Sequence, residues 1–85
     1  MSRPKITAIV QTYNAAEHLD ICLTALERFD EILVVDMEST DDTVAIAERH
    51  GARVIVKERG PHRIVEAYRD FAIKAATNDW VLVVD

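Results

Sequence analysis

Two aspartates close two apolar runs: Ile32-Leu-Val-Val35 leads into Asp36, and Val81-Leu-Val-Val84 leads into Asp85. A carboxylate placed there can accept hydrogen bonds from a base or a ribose, or help hold a cation. Asp36 opens Met37-Glu-Ser39-Thr-Asp41-Asp-Thr43, a short stretch of hydroxyls and carboxylates. The same stretch also reads as helix punctuation, with Ser39 or Thr40 as cap and Asp41 and Asp42 against the positive helix end. A strand-end aspartate is a common turn residue too, so local physics leaves both readings of Asp36 standing. Tyr13, in Gln11-Thr-Tyr-Asn14, offers a ring that could stack on a base or pack on a helix. Lys57-Glu-Arg-Gly-Pro-His-Arg63 could meet a diphosphate, although such basic, turn-prone runs are more often solvated loops.

Several chemistries are excluded by what the 85 residues lack. With two glycines there is no G-x-G-x-x-G and no P-loop. His18, His50 and His62 lack the spacing of a zinc pair, and no G-x-S-x-G occurs. A net charge of −5 argues against nucleic-acid binding through a basic surface. An acidic protein that handles phosphates usually does so through a divalent cation. Cys22 cannot pair within the chain; on the apolar face of a helix it reads as a small buried hydrophobe. A reducing cytoplasm is the expected location, without a signal peptide or an apolar stretch of membrane-spanning length.

The elements that must position these groups follow from periodicity. Ile6-Thr-Ala-Ile-Val10 reads as a strand, and Asn14 with Glu17 resembles a capping box for the helix after it. Leu19, Cys22, Leu23 and Leu26 form that helix's apolar stripe, expected to end near Phe29-Asp30. The unbroken apolar run at 32–35 suggests a strand covered on both faces, as in a parallel sheet. Thr43, Ile46, Ala47 and His50 share a face of a second helix, which Gly51 would terminate. Arg53-Val-Ile-Val56 is a short strand; Ile64, Tyr68, Phe71, Ala72 and Ala75 mark a third helix before Trp80-Val-Leu-Val-Val84. The order βαβαβαβ suits right-handed parallel crossovers, which give a Rossmann-like α/β fold in one domain. If both Asp-ended strands sit centrally, Asp36 and Asp85 emerge at the same sheet edge. A chain this short buries roughly 60–65% of its unfolded surface, so its core is modest.

Taken together, Val10-Gln-Thr-Tyr-Asn14, Val34-Val-Asp36-x-x-Ser39-Thr-Asp41-x-Thr43, Tyr68-Arg-Asp-Phe-Ala72 and Asp79-Trp-Val-Leu-Val-Val-Asp85 resemble the N-terminal half of a family 2 glycosyltransferase with the GT-A fold. Bacterial lipopolysaccharide-core sugar transferases are the closest in flavour. The D-x-x-S-T-D-x-T element is the specific part. The resemblance implies a strand order of 3-2-1-4 and a nucleotide-diphospho-sugar donor, a UDP-sugar first. It implies that Thr12 and Tyr13 line the nucleobase pocket, with Tyr13 stacking on the base. Asp36 would accept from a base N–H, and Arg69 would add a cationic contact. Asp85 would be the first aspartate of a D-x-D motif holding the ribose and a divalent metal, Mg or Mn. That metal would act as a Lewis acid on the departing diphosphate. The reaction implied is sugar transfer, usually inverting, to a glycan or lipid-linked acceptor.

Four positions depart from the family pattern: Gln11, Ala15, Glu38 in place of a frequent glycine, and Asp70 beside Arg69. Residues 1–85 are expected to be a single, truncated, nucleotide-sugar-binding half-domain without a catalytic base, inactive alone. Strand 80–84 would then be a bare apolar edge prone to self-pairing as a homodimer. Two other readings compete: a non-catalytic α/β binding or assembly domain, and a sugar nucleotidyltransferase. The latter needs a glycine- and arginine-rich loop after the first strand, which Gln11-Thr-Tyr-Asn14 does not supply.

Overall fold

The computed structural model describes residues 4–57, 72–78 and 80–84. Strands β1 (Ile6–Thr12), β2 (Glu31–Asp36), β3 (Arg53–Val56) and β4 (Trp80–Val84) form one sheet in the order β3-β2-β1-β4. Every pairing is parallel, with Thr12 opposite Asp36, Asp36 opposite Val56, and Val10 opposite Val84. Helices α1 (Ala16–Ala25) and α2 (Thr43–Arg49) join β1 to β2 and β2 to β3.

Alternation along the strands builds two cores. Ala8, Val10, Ile32 and Val34 face Leu19, Leu23 and Leu26 of the α1 segment and Ile46 and Ala47 of α2. Ile9, Leu33 and Val35 face the other way, toward Ala72, Ala75 and Ala76. Residues 72–75 are helical, so both sheet faces carry helix. This is why the run at 32–35 is apolar without a break: every second side chain meets a different layer. Each such Leu, Ile or Val stabilises the fold by about 1.5–3 kcal/mol through burial.

The chain steps from β1 to β2 to β3, then returns to the far side of β1 for β4. The connections therefore reverse between β1 and β4, and right-handed crossovers put α1 and α2 on one face and 72–76 on the other. Asp36 and the end of β4 share the carboxyl edge, as expected, but β4 is the outer strand and β1 lies between it and β2. On that outer strand Trp80 and Leu82 lie exposed.

Three local expectations are corrected. Ala15, not Asn14, is the N-cap of α1, and no side chain caps it. Asn14 has φ +49, a left-handed conformation that asparagine tolerates, and its amide turns to the next loop instead. Neither Ser39 nor Thr40 caps α2; Asp42 holds that position without a side-chain bond, because Ser39 is engaged by Asp36. Helix α1 stops at Ala25 rather than near Phe29: Leu26 and Glu27 donate three residues back, to Leu23 and Thr24, which tightens the last turn and releases the chain. Gly51 ends α2 as expected, at φ +76, with Ala52 N–H on Ala47 O and its own N–H on Glu48 O.

At the amino edge, Glu31 ties the sheet to the turn before β4. It accepts from the Thr7 hydroxyl at 2.9 Å, the Thr77 N–H at 3.0 Å, the Thr77 hydroxyl at 2.8 Å and Arg53 at 3.3 Å. Among the described residues no helix is long and apolar enough to cross a membrane.

Candidate functional site at the carboxyl edge

Thr12 and Asp36 are the last residues of neighbouring strands and stand opposite each other in register. Asp36 has no exposed surface, and Thr12 is 2% exposed. A bare buried carboxylate would be costly, so its partners decide the local structure. The Thr12 and Ser39 hydroxyls both donate to Asp36 Oδ1 at 2.6 Å, and the Ser39 N–H donates to Oδ2 at 2.8 Å. These bonds fold residues 36–39 into a turn in which Glu38 takes φ +57. The position that glycine often fills in similar sequences thus does require the left-handed region, and Glu38 adopts it without opening the turn.

The loops after β1 and β2 are joined by side chains. Ser39 Oγ accepts the Asn14 N–H at 2.8 Å, Thr43 Oγ1 accepts the Ala15 N–H at 2.9 Å, and Asp41 Oδ2 accepts the Ala16 N–H at 3.2 Å. In return Asn14 Oδ1 accepts the Thr40 N–H at 2.7 Å. Asp41 Oδ1 also accepts the Thr43 N–H at 3.0 Å and the Thr43 hydroxyl. The Thr43 hydroxyl has the largest influence on the Asp41 carboxyl; burial opposes it, and with the Thr43 and Ala16 amides added the group is held below its ordinary value. Tyr13 emerges just before this seam, 44% exposed.

Of the residues singled out in the sequence, Thr12, Tyr13 and Asp36 are brought to one edge. Arg69 and Asp85 lie outside the described residues, as do Tyr68, Asp70 and residues 58–63 of the basic segment. Lys57 is described, and its N–H donates to the Asp36 carbonyl at 2.7 Å. Among the described residues no three His, Cys, Asp or Glu side chains converge to hold a metal. A groove of about 200 Å³ opens beside the site between β1 and α1, lined by Thr12, Ala15, His18 and Cys22 among others. What the sequence reading missed is Asn14, Asp41 and Thr43 as inter-loop fasteners. The signal for them was present, since helix caps alone do not call for so many hydroxyls and carboxylates in seven residues.

The profile of the family described as glycosyl transferase family 2 matches residues 7–85. An uncharacterized glycosyltransferase of Rickettsia felis is 44% identical over 82 residues, covering 95% of this chain and 28% of the relative. One from Mycobacterium bovis is 38% identical over 86 residues, covering the whole chain and 38% of the relative. Among solved structures, glucosyl-3-phosphoglycerate synthase from Mycobacterium tuberculosis in complex with Mn2+, UDP and glucosyl-3-phosphoglycerate superposes with a TM-score of 0.72 at 26% identity, over 96% of this chain and 33% of that one. The same synthase with Mg2+ and UDP gives equal values. The chain thus spans well under half the length of the relatives it matches.

Proposed function

The chain belongs to glycosyl transferase family 2, and from that premise we propose that its carboxyl edge binds the nucleoside diphosphate of a sugar donor. The observation that carries this reading is the Thr12–Asp36–Ser39 node beside exposed Tyr13, next to the reversal between β1 and β4. In open α/β sheets that crevice is where ligands bind. The donor class is a UDP-sugar, supported by the UDP held by the synthase of like fold. Tyr13 supplies a stacking face for the base, and Thr12 a wall of the base pocket. Asp36 already accepts three donors. A carboxylate offers about four lone-pair sites, so one remains for an imide N–H of uracil. Because Asp36 has no exposed surface, the turn at 36–39 would have to open to admit it.

Arg69 and Asp85 complete the proposed set, as a cationic contact to base and phosphates and as a ligand of a divalent cation. The synthase of like fold was captured with Mn2+ and with Mg2+. When bound, such a cation would stabilise the departing diphosphate. Among the described residues no ligand cluster forms, and Asp85 is the proposed ligand. The 85 residues are proposed as a donor-binding half-domain without turnover of its own. The whole protein would pass the sugar to a glycan or lipid-linked acceptor.

The test is thermal shift with UDP in the presence of Mn2+ or Mg2+, with ATP as control. A small, metal-dependent rise is expected with UDP and not with ATP. Tyr13→Ala should remove about 1–3 kcal/mol of binding, the usual worth of stacking a base on an aromatic ring. An equal response to ATP, or none to UDP, would refute the reading.

A further inference from the structure

Three consecutive main-chain donors follow Tyr13, and each goes to a side chain of the other loop: Asn14 N–H to Ser39, Ala15 N–H to Thr43 and Ala16 N–H to Asp41. The start of a helix ordinarily leaves such groups to its own cap or to water. Here helix α1 has no side-chain cap of its own, and the loop after β2 provides the acceptors. Asp41 is the central fastener, because its two oxygens reach the first residue of both helices, Ala16 of α1 and Thr43 of α2. It also accepts the Thr43 hydroxyl whose oxygen takes the Ala15 N–H. Asp41 itself is exposed and makes no hydrogen bond to Thr12 or Asp36 among those described. Its hydrogen bonds lead instead to the backbone of the Tyr13 loop, through Ala16 and, by way of Thr43, through Ala15.

We infer that Asp41 is a positioning residue for the nucleobase: it fastens the loop after β1 to the loop after β2 and so fixes the direction in which Tyr13 is presented. This deepens the donor-site reading and rests on it. The seam also accounts for the left-handed Asn14. With φ at +49, Asn14 turns its amide oxygen onto the Thr40 N–H, a second fastener on the opposite side of the seam. Stacking energy depends on ring orientation, so a Tyr13 released from this seam would keep its chemistry and lose its pose.

A double-mutant cycle on UDP affinity, read by calorimetry with Mn2+ present, separates positioning from plain stability. Asp41→Ala should weaken UDP binding by about five- to tenfold in the parent chain, within the usual range for coupled neighbours. In the Tyr13→Ala background the same change should cost less than about twofold, since no ring is left to misplace. Circular dichroism at the assay temperature verifies that each variant is folded. If Asp41→Ala does not fold, Asn14→Gly runs the same cycle, because glycine keeps the left-handed backbone and loses only the Thr40 contacts. Equal losses in both backgrounds, or no loss in the parent chain, would overturn the inference. A Tyr13→Ala chain that binds UDP as well as the parent does would remove the donor reading itself, and this inference with it.

Discussion

At the scale of single residues, a carboxylate without exposed surface is costly unless it is hydrogen-bonded, and Asp36 is held by the Thr12 and Ser39 hydroxyls and the Ser39 N–H. Ser39 has the heavier duty, since its oxygen donates to Asp36 and accepts from Asn14 while its N–H closes the turn. Ser39→Ala would strip one donor from the buried carboxylate and leave the Asn14 N–H without its acceptor. Leaving a buried polar group unpaired costs about 1–3 kcal/mol, so urea denaturation should show a loss of that order with an unchanged slope. A loss below about 0.5 kcal/mol, the usual reach of surface substitutions, would mean that the node is ornamental. The sequence showed Asp36 at its strand end, and Ser39 and Asp41 as polar neighbours. It did not show which carboxylate each hydroxyl would choose, because a cap and an inter-loop bond use the same residue types.

Among the elements, the strands, their order and the end of α2 at Gly51 were legible, and the helix starts and the end of α1 were not. Strand β2 announced itself by an unbroken apolar run, which only a two-sided environment explains. The end of α1 at Ala25 had no glycine or proline to mark it; the chain leaves the helix through tightened turns that any sequence can adopt. Glu31 likewise gave no signal, although it binds β2 to β3 and to the turn before β4. Burial pushes its carboxyl up, but the Thr77 amide and hydroxyl, the Thr7 hydroxyl and Arg53 together outweigh that and hold it below its ordinary value. A carboxyl depressed in the folded state contributes stability that is present above its unfolded value, near 4, and lost as pH falls through the folded value. Stability should therefore drop on acidification below about pH 4, and Glu31→Gln should flatten that drop in a series of denaturation curves. A Gln variant with the parent's full acid dependence would show that Glu31 does not contribute it.

For the molecule as a whole, one reversal of strand order sets out the two edges of the sheet for different work. The amino edge is tied shut by Glu31, Thr77 and Arg53. The carboxyl edge carries Tyr13, the buried Asp36 node and the seam between two loops. The family and the order β3-β2-β1-β4 were both readable from short motifs, because D-x-x-S-T-D-x-T encodes a loop geometry as well as a chemistry. The most direct test of the central claim is a nitrogen–proton correlation spectrum of the chain titrated with UDP and Mg2+. The account predicts shifts at Tyr13, Asn14, Met37 and Ser39, with Thr7, Glu31 and Thr77 unmoved. Shifts centred on the amino edge, or a carboxyl edge unchanged at saturating UDP, would contradict it.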